Sequence, residues 1–305
     1  GVLRAAEQGF GGTVGGAAVI HPASGDILAL VDSSAFNPGF YVGVEDLSPF
    51  NRAVVGRYPP GSAMKVVTAA AALDSGRFTP ESRLQGPAEY KGVRNFESGA
   101  FGSVDFATAM KFSVNTAFAQ IAERLGGKRM TKYAEAFGFN REIDIPLAHA
   151  VSQYPEPEDA GDLMWSAIGQ AQVLATPLQM ATVAATVANG GKRMEPRIDR
   201  DERRRGERVV SRRVARQLTS MMENVVNGGT GVGARLSGTQ VAGKTGTAEV
   251  DVGGERRNHA WFIAFAPSGA PKVAVAVVAE YGGVGGQVAA PLARQILANV
   301  LPVAP

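Results

Sequence analysis

Hydrophobic periodicity changes twice along these 305 residues, and that change restricts the fold more than any other feature. Short apolar runs of period 2 lie at both ends of the chain, and segments of helical period fill the middle. Residues 16–20 and 26–31 read as two strands joined by the turn His21-Pro22-Ala23-Ser24-Gly25, a β-hairpin. Residues 241–250, 260–266 and 272–279 read as three further strands, followed by a helix over 287–300. Strands from opposite ends of the chain most simply complete one antiparallel sheet, rather than alternating βαβ units. The expected class is α+β: a sheet built from the N-terminal hairpin and the C-terminal strands, flanked by helices, with a central, mostly helical lobe. The α/β lobe is expected over 1–58 and 230–305, and the helical lobe over 59–229.

Local signals mark the helices. Residues 3–10 read as a helix stopped by Gly9, Gly11 and Gly12, and 32–58 as a loop rich in Ser, Pro, Asn and Gly. Pro59-Pro60-Gly61 breaks the chain before an apolar helix over 62–73, ended by Gly76. Ser103 is expected to cap a helix over 104–112, with further helices over 115–125 and 128–137. Residues 155–159 are a surface loop, and helices resume where Thr176 caps and Pro177 takes the first helical position. Residues 209–226 form the last helix of the central region, ended by Asn227-Gly228-Gly229.

Composition narrows the chemistry. The chain is 45% apolar, yet no apolar run approaches the roughly 20 residues of a membrane span. It opens Gly1-Val2-Leu3-Arg4 rather than on a basic and apolar leader, so the expectation is a soluble fragment whose anchor lies elsewhere. Cysteine is absent, which removes disulfides and thiolate nucleophiles and suits an extracytoplasmic protein. His21, His149 and His259 are scattered without ligand spacing, so neither a metal nor a cofactor is expected. Net charge is +3, with basic residues between Lys192 and Arg213 interleaved with Glu195, Asp199, Asp201 and Glu202. Mixed signs without aromatics read as a solvated hairpin or loop, and no nucleic-acid partner is expected.

Three short patterns lie in order on this framework: Ser62-Ala63-Met64-Lys65, Ser113-Val114-Asn115 and Lys244-Thr245-Gly246-Thr247. Residues three apart share a helix face, so the first spacing predicts the Lys65 amine beside the Ser62 hydroxyl. A serine hydroxyl needs a base, and lysine serves only as the free amine, which burial among Met64, Val66, Val67 and residues 69–72 would favour. The Ser62 N–H at a helix start is also a donor to a developing oxyanion. The plain alternative is a capping serine with a lysine that reaches solvent. Ser113 and Asn115 stand at a helix junction, where they either cap a turn or work together. In the second case Ser113 relays protons between Lys65, Lys244 and a leaving amine, while Asn115 holds Lys65 and a substrate amide. Lys244-Thr245-Gly246-Thr247 is strand-like. On an edge it would admit a peptide by strand pairing, with Gly246 allowing close approach, Thr247 N–H as second oxyanion donor, and Lys244, Thr245 and Thr247 holding a carboxylate. An exposed hairpin is the alternative.

With their flanks, these residues carry a likeness over nearly the whole chain. Pro59-Pro60-Gly61-Ser62-Ala63-Met64-Lys65, Ser113-Val-Asn-Thr-Ala-Phe118, Ala167-Ile-Gly-Gln170 with Thr176-Pro-Leu-Gln-Met-Ala181, Ala242-Gly-Lys-Thr-Gly-Thr-Ala-Glu249 and His259-Ala-Trp-Phe262 resemble the transpeptidase domain of class B penicillin-binding proteins. The resemblance implies the fold shared with β-lactamases and acyl transfer on peptidoglycan stem peptides. Ser62 would attack the D-Ala-D-Ala carbonyl, D-Ala would leave, and an amine of a neighbouring stem would resolve the acyl-enzyme; β-lactams would acylate Ser62. It also implies catalytic roles for Ser62, Lys65, Ser113, Asn115 and Lys244, and substrate binding by Thr245, Gly246 and Thr247. A membrane-anchored protein of an elongation or division complex, on the extracytoplasmic face, is implied as well. The usual glycine after Gly-Gln is Ala171, which bears little on chemistry, and the family's anchor and pedestal have no counterpart here.

Other readings stay open at the level of sequence. A D,D-carboxypeptidase differs only in using water as acceptor. A β-lactamase needs a glutamate for deacylation, and the pattern Glu-x-x-x-Asn occurs only as Glu223 to Asn227, inside an expected helix. A penicillin sensor or non-catalytic scaffold is the remaining class. His259, Trp165 and Trp261 read as packing residues, and Tyr58 with the stretch 90–101, including Phe96, Glu97 and Gly99, as a cleft rim or a solvated loop.

Overall fold

The computed structural model describes residues 10, 13–33, 51–96, 99–201 and 205–302. The helix expected over 3–10 and most of the loop expected over 32–58 lie outside them, as does Glu97. The hairpin forms as β1 (Gly15–Ile20) and β2 (Ile27–Asp32). The C-terminal strands are β3 (Ala242–Val252), β4 (Glu255–Ala266) and β5 (Val273–Ala279). They join in the order β2-β1-β5-β4-β3, antiparallel throughout, with Ala18 opposite Ala276, Trp261 opposite Val278 and Lys244 opposite Ile263. The expected single sheet is therefore formed, and the Lys244 strand is its edge.

Alternation along β5 shows why the sheet is covered on both sides. Val273, Val275, Val277 and Ala279 enter one apolar cluster, whereas Ala274, Ala276 and Val278 enter another. The smaller cluster is closed by the C-terminal helix, α8 (Ala289–Val300), through Ala289, Leu292, Ala293, Ile296, Leu297 and Val300 at helical spacing. The larger cluster holds the remaining helices. These are α1 (Lys65–Asp74), α2 (Phe106–Lys111), α3 (Asn115–Leu125), α4 (Gly127–Ala136), α5 (Ala160–Ala167), α6 (Pro177–Ala188) and α7 (Arg212–Gly228). Helix α6 packs across β1 and β5, and α7 lies along β3. Helix α1 is apolar all round and buried along all but its last residue, as a central helix must be.

Three expectations are corrected. Ser103 caps nothing: it lies in a short strand, Gly102–Asp105, paired with Arg83–Gly86, and Asp105 caps α2 by accepting from Thr108 N at 2.6 Å. A carboxylate at the strand-to-helix corner outcompetes a serine two residues earlier. Helix α5 was not expected, because eight residues behind a Pro-Glu-Pro-Glu loop show little periodicity; its cap is Asp159, accepting from Asp162 N at 2.8 Å. The basic segment does form a hairpin, Lys192–Met194 with Gly206–Arg208, but it is not simply solvated. Arg193 and Arg197 are buried, drawn in by Glu207 at 2.9 Å and Asp26 at 2.7 Å. No helix among the described residues is long and apolar enough to cross a membrane.

Candidate active site

Ser62 lies on a 3₁₀ turn, Gly61–Met64, that leads directly into α1. The turn is wedged between the edge strand and the segment after α5, and glycines make the fit possible. A Cβ on Gly246 would stand 2.5 Å from Pro60 O and 3.2 Å from Ala63 N, so β3 passes the turn backbone to backbone. A Cβ on Gly169 would stand 2.1 Å from Gly61 O, and Gly61 N donates to Gly169 O at 2.9 Å. Both Gly169 and Gly61 have positive φ, +76° and +53°. The Gly-Gln segment noted in the sequence is thus the second wall of the turn. Ala171, two residues on, also has φ +56°, so the position favours the glycine it lacks.

Behind the turn, three side chains converge with Lys65. Its Nζ donates to Ser113 O at 2.7 Å, Ser113 Oγ at 3.1 Å and Asn115 Oδ1 at 2.5 Å. Lys244 Nζ reaches the same Ser113 Oγ at 2.9 Å and Thr245 O at 3.0 Å. One hydroxyl therefore joins two lysines, and both lysines are fully buried. Burial drives the Lys65 amine well below its ordinary value, and the neighbouring Lys244 charge lowers it further. Burial alone pulls Lys244 down to about 7. Among the described residues no carboxylate pairs with either amine, so each can exist as the free base near neutrality.

Local backbone sets this convergence. Ser113 follows α2 with φ +59°, a left-handed conformation costly for a residue with a Cβ. Helix α3 starts from Val114 without a side-chain cap, so neither Ser113 nor Asn115 is spent on capping. Asn115 Nδ2 donates to Arg94 O at 2.8 Å, which turns its carbonyl oxygen toward Lys65. Ser62 makes no side-chain cap either, and Lys65 does not reach solvent. The plain structural alternatives for the first two patterns thus fail. So does the exposed hairpin for the third, because Lys244 is buried while its strand remains an edge.

One expected contact is absent in this form. Among the described residues no hydrogen bond within 3.5 Å reaches Ser62 Oγ; Lys65 faces Ser113 and Asn115 instead. Contacts of this kind commonly tighten only when substrate is bound. Thr245 Oγ1 pairs with Thr230 Oγ1 at 2.7 Å, and Thr247 Oγ1 accepts from Gly285 N at 3.2 Å. Thr230 and the Arg94 carbonyl were not singled out from sequence, since a lone threonine or a main-chain oxygen carries no pattern. The Phe118 ring also faces Lys65, with Nζ 5.2 Å from its centroid.

The surrounding residues separate wall from core. Trp261 is buried and its Nε1 donates to Pro59 O at 2.9 Å, while Trp165 is partly exposed. His259 is structural: it is buried, its ring contacts Tyr58 and Tyr281, and Nδ1 accepts from Tyr281 N at 3.2 Å. Burial lowers its basicity. Tyr58, expected at the cleft rim, is buried instead. Phe96 is exposed, whereas Tyr90 hydrogen-bonds Glu123 at 2.5 Å. Glu223 lies in α7 and accepts from Ser268 Oγ at 2.5 Å, so it is not placed as a deacylating base. Among the described residues no group of His, Asp or Glu could hold a metal ion.

An antiparallel sheet backed by helices, with a serine-bearing turn wedged against its edge strand and two buried lysines behind it, defines the class of serine enzymes that form acyl intermediates without a metal or histidine base. The chain belongs to the penicillin-binding protein transpeptidase domain family, whose description matches residues 15–298. It is 36% identical to the peptidoglycan D,D-transpeptidase PbpA of Mycobacterium tuberculosis, an alignment covering 97% of this chain and 69% of that protein. The D,D-transpeptidase domain of a peptidoglycan glycosyltransferase from Eggerthella lenta superposes with a TM-score of 0.87 at 31% identity, covering 99% of this chain and 81% of that one. The ceftriaxone acyl-enzyme of Mycobacterium tuberculosis penicillin-binding protein A gives a TM-score of 0.86 at 35% identity, covering 98% and 77%.

Proposed function

We propose that this protein is a peptidoglycan D,D-transpeptidase that crosslinks stem peptides through an acyl-enzyme on Ser62 and is acylated there by β-lactams. The observation that carries the reading is the pair of buried lysines joined by one serine hydroxyl behind the Ser62 turn. In this reading Lys65, as the free amine, takes the Ser62 proton as Oγ attacks the carbonyl of the penultimate D-Ala. Ser62 N–H and Thr247 N–H hold the oxyanion. The C–N bond then breaks, and Ser113, backed by Lys244, returns a proton to the departing D-Ala amine. Ser113 Oγ accepts from both lysines, which leaves its own hydrogen free to move along that path. Asn115 holds Lys65 and a donor amide, and Lys244, Thr245 and Thr247 take the terminal carboxylate. Gly246 lets the donor and the Ser62 turn lie close to the edge strand. A neighbouring stem's amine resolves the ester and regenerates Ser62.

The division into a sheet lobe, 1–58 and 230–305, and a helical lobe, 59–229, with the cleft at their junction, belongs to the same reading. So do an extracytoplasmic, membrane-associated location and work within an elongation or division complex. The test uses fluorescent penicillin and D-Ala-D-Ala stem peptides. Intact protein should take up one label, Ser62→Ala none, and mass spectrometry should show crosslinked dimers. Trimmed monomer alone would point to a carboxypeptidase, rapid loss of label to a hydrolase, and labelling of Ser62→Ala would overturn the assignment.

A further inference from the structure

We propose that Glu280 is a positioning residue for the Ser62 nucleophile, acting through a hydrogen bond from the Tyr58 hydroxyl. The inference rests on the active-site reading above. It starts from how residues 58–61 are held. On one side the restraints are main chain to main chain: Tyr58 N donates to Ala175 O at 3.0 Å, Ala175 N to Tyr58 O at 2.9 Å, and Gly61 N to Gly169 O at 2.9 Å. These fix the segment along one line and leave it free to tilt about that line. On the other side the restraints come from side chains of the sheet. Trp261 Nε1 holds Pro59 O at 2.9 Å, and Tyr58 Oη donates to Glu280 Oε1 at 2.5 Å.

Glu280 is itself anchored through both its side chain and its main chain. Arg52 Nε donates to Glu280 Oε1 at 2.9 Å, and Arg52 NH1 donates to Asp32 Oδ1 at 3.0 Å. Glu280 N donates to Val14 O at 2.9 Å. Asp32, Arg52, Glu280 and Tyr58 therefore form one chain of charge-assisted contacts from the end of β2 to the segment that enters the active site. The Tyr58 ring is wedged edge-on against His259 and Trp261, at 5.1 and 6.1 Å between centroids. A Cβ on Gly56 would stand 2.6 Å from the Tyr58 hydroxyl, so the ring folds back over a stretch of chain that only glycine permits. Burial and the Glu280 carboxylate push the Tyr58 hydroxyl above the range in which a tyrosine ionises in water, so it stays a donor.

The link bears on chemistry because of what lies between it and the nucleophile. Pro59 and Pro60 separate Tyr58 from the Gly61–Met64 turn, and proline rings lock φ. Gly61, which follows them, is tied by its N–H to Gly169 O at 2.9 Å, so a tilt at Tyr58 is passed on toward Ser62. Neither Tyr58 nor Glu280 hydrogen-bonds Lys65, Ser113, Asn115 or Lys244, so the role is alignment of Oγ and not proton transfer.

Benzylpenicillin acylation, resolved into a dissociation constant and a first-order acylation rate, tests this at a temperature where every variant is folded. Tyr58→Phe, which removes one oxygen, should lower the acylation rate by about tenfold with the dissociation constant unchanged. Glu280→Ala should match it, Glu280→Gln should restore part of the rate by keeping an acceptor, and the double variant Tyr58→Phe/Glu280→Ala should be no slower than either single one. A Tyr58→Phe rate within twofold of wild type, whatever its melting temperature, would overturn the proposal. So would additive losses in the double variant, or a loss confined to the dissociation constant. Should Glu280→Ala fail to fold, Tyr58→Phe and Glu280→Gln still decide. Wild-type protein that is not acylated at all would overturn the active-site reading itself, and this one with it.

Discussion

Lys65 and Lys244 are amines held in full burial, and the cost has a measurable sign. Lys244 titrates at about 7 in the folded protein and near 10.5 when unfolded. Between those values the unfolded chain binds the extra proton, so unfolding free energy rises with pH. The slope from one such group approaches about 1.4 kcal/mol per pH unit, and Lys65, lowered for the same reason, adds in the same direction. Denaturant titrations from pH 7 to 10 should therefore show stability climbing, and Lys244→Met should flatten the climb by one group's share. An unchanged slope in Lys244→Met would mean that Lys244 is not held neutral by burial. That Lys65, Ser113, Asn115 and Lys244 would meet was legible in sequence because serine, lysine and asparagine at those spacings have chemical meaning. Which neighbour Lys65 leaves aside was not. Helical spacing predicted Lys65 beside Ser62, yet a lysine side chain is long enough to choose among neighbours, and here it turns to Ser113 and Asn115 from another helix junction.

At the scale of elements, the site depends on how closely an edge strand can pass a turn. Gly246→Ala would place a methyl carbon 2.5 Å from Pro60 O and 2.9 Å from Trp261 Cβ, both fixed atoms. The strand and the turn must then part by roughly 1 Å, a displacement that costs on the order of 100-fold in rate when reacting groups are aligned. Penicillin acylation of Gly246→Ala should fall by that order, while Gly269→Ala, whose Cβ meets nothing within 4 Å, should acylate like wild type. Near-normal acylation of Gly246→Ala would show that the turn has room to yield. Element boundaries were readable where one strong signal stood alone. Thr176 caps α6, its Oγ1 accepting from Gln179 N at 3.1 Å, with Pro177 at the first position as its sequence suggests. They were misread where two caps competed, as at Ser103 and Asp105, because the outcome depended on Gly102–Asp105 pairing with a strand near residue 85. Such pairing is invisible to a local window.

Over the whole molecule, the sheet was legible because short period-2 strands at both chain ends had backbone edges that pair most simply with one another. One join between the central region and that sheet was not, because it involves charge inside the protein. Arg197, beyond the short strand Lys192–Met194, donates to Asp26 Oδ1 at 2.7 Å, and its main chain bridges Gly25 and Ile27 at the tip of the first hairpin. Sequence alone suggested a solvated run of mixed charge, and a buried pair looks identical in such a run. Burial pushes the Asp26 carboxyl up, but hydrogen bonds from Ser24 and Arg197 and the charges of Arg197 and Arg200 hold it below its ordinary value. Its contribution is therefore present above about pH 4, the unfolded carboxylate's range, and lost as pH falls through the lower folded value. Arg197→Ala leaves the Asp26 carboxylate without its closest counter-charge, with Ser24 and the Arg200 guanidinium at 4.0 Å remaining, and should cost up to about 3 kcal/mol at pH 7 by denaturant midpoint. Asp26→Asn in the same background should recover part of that loss, because an amide is cheaper to bury than an unpaired charge. The gap between wild type and Arg197→Ala should narrow below pH 4, where the unpaired carboxylate can take up a proton. A gap that persists unchanged at pH 3 would mean that Arg197 acts by packing its stem and main chain, and that the ion pair adds nothing to the join between the hairpin and the rest of the fold.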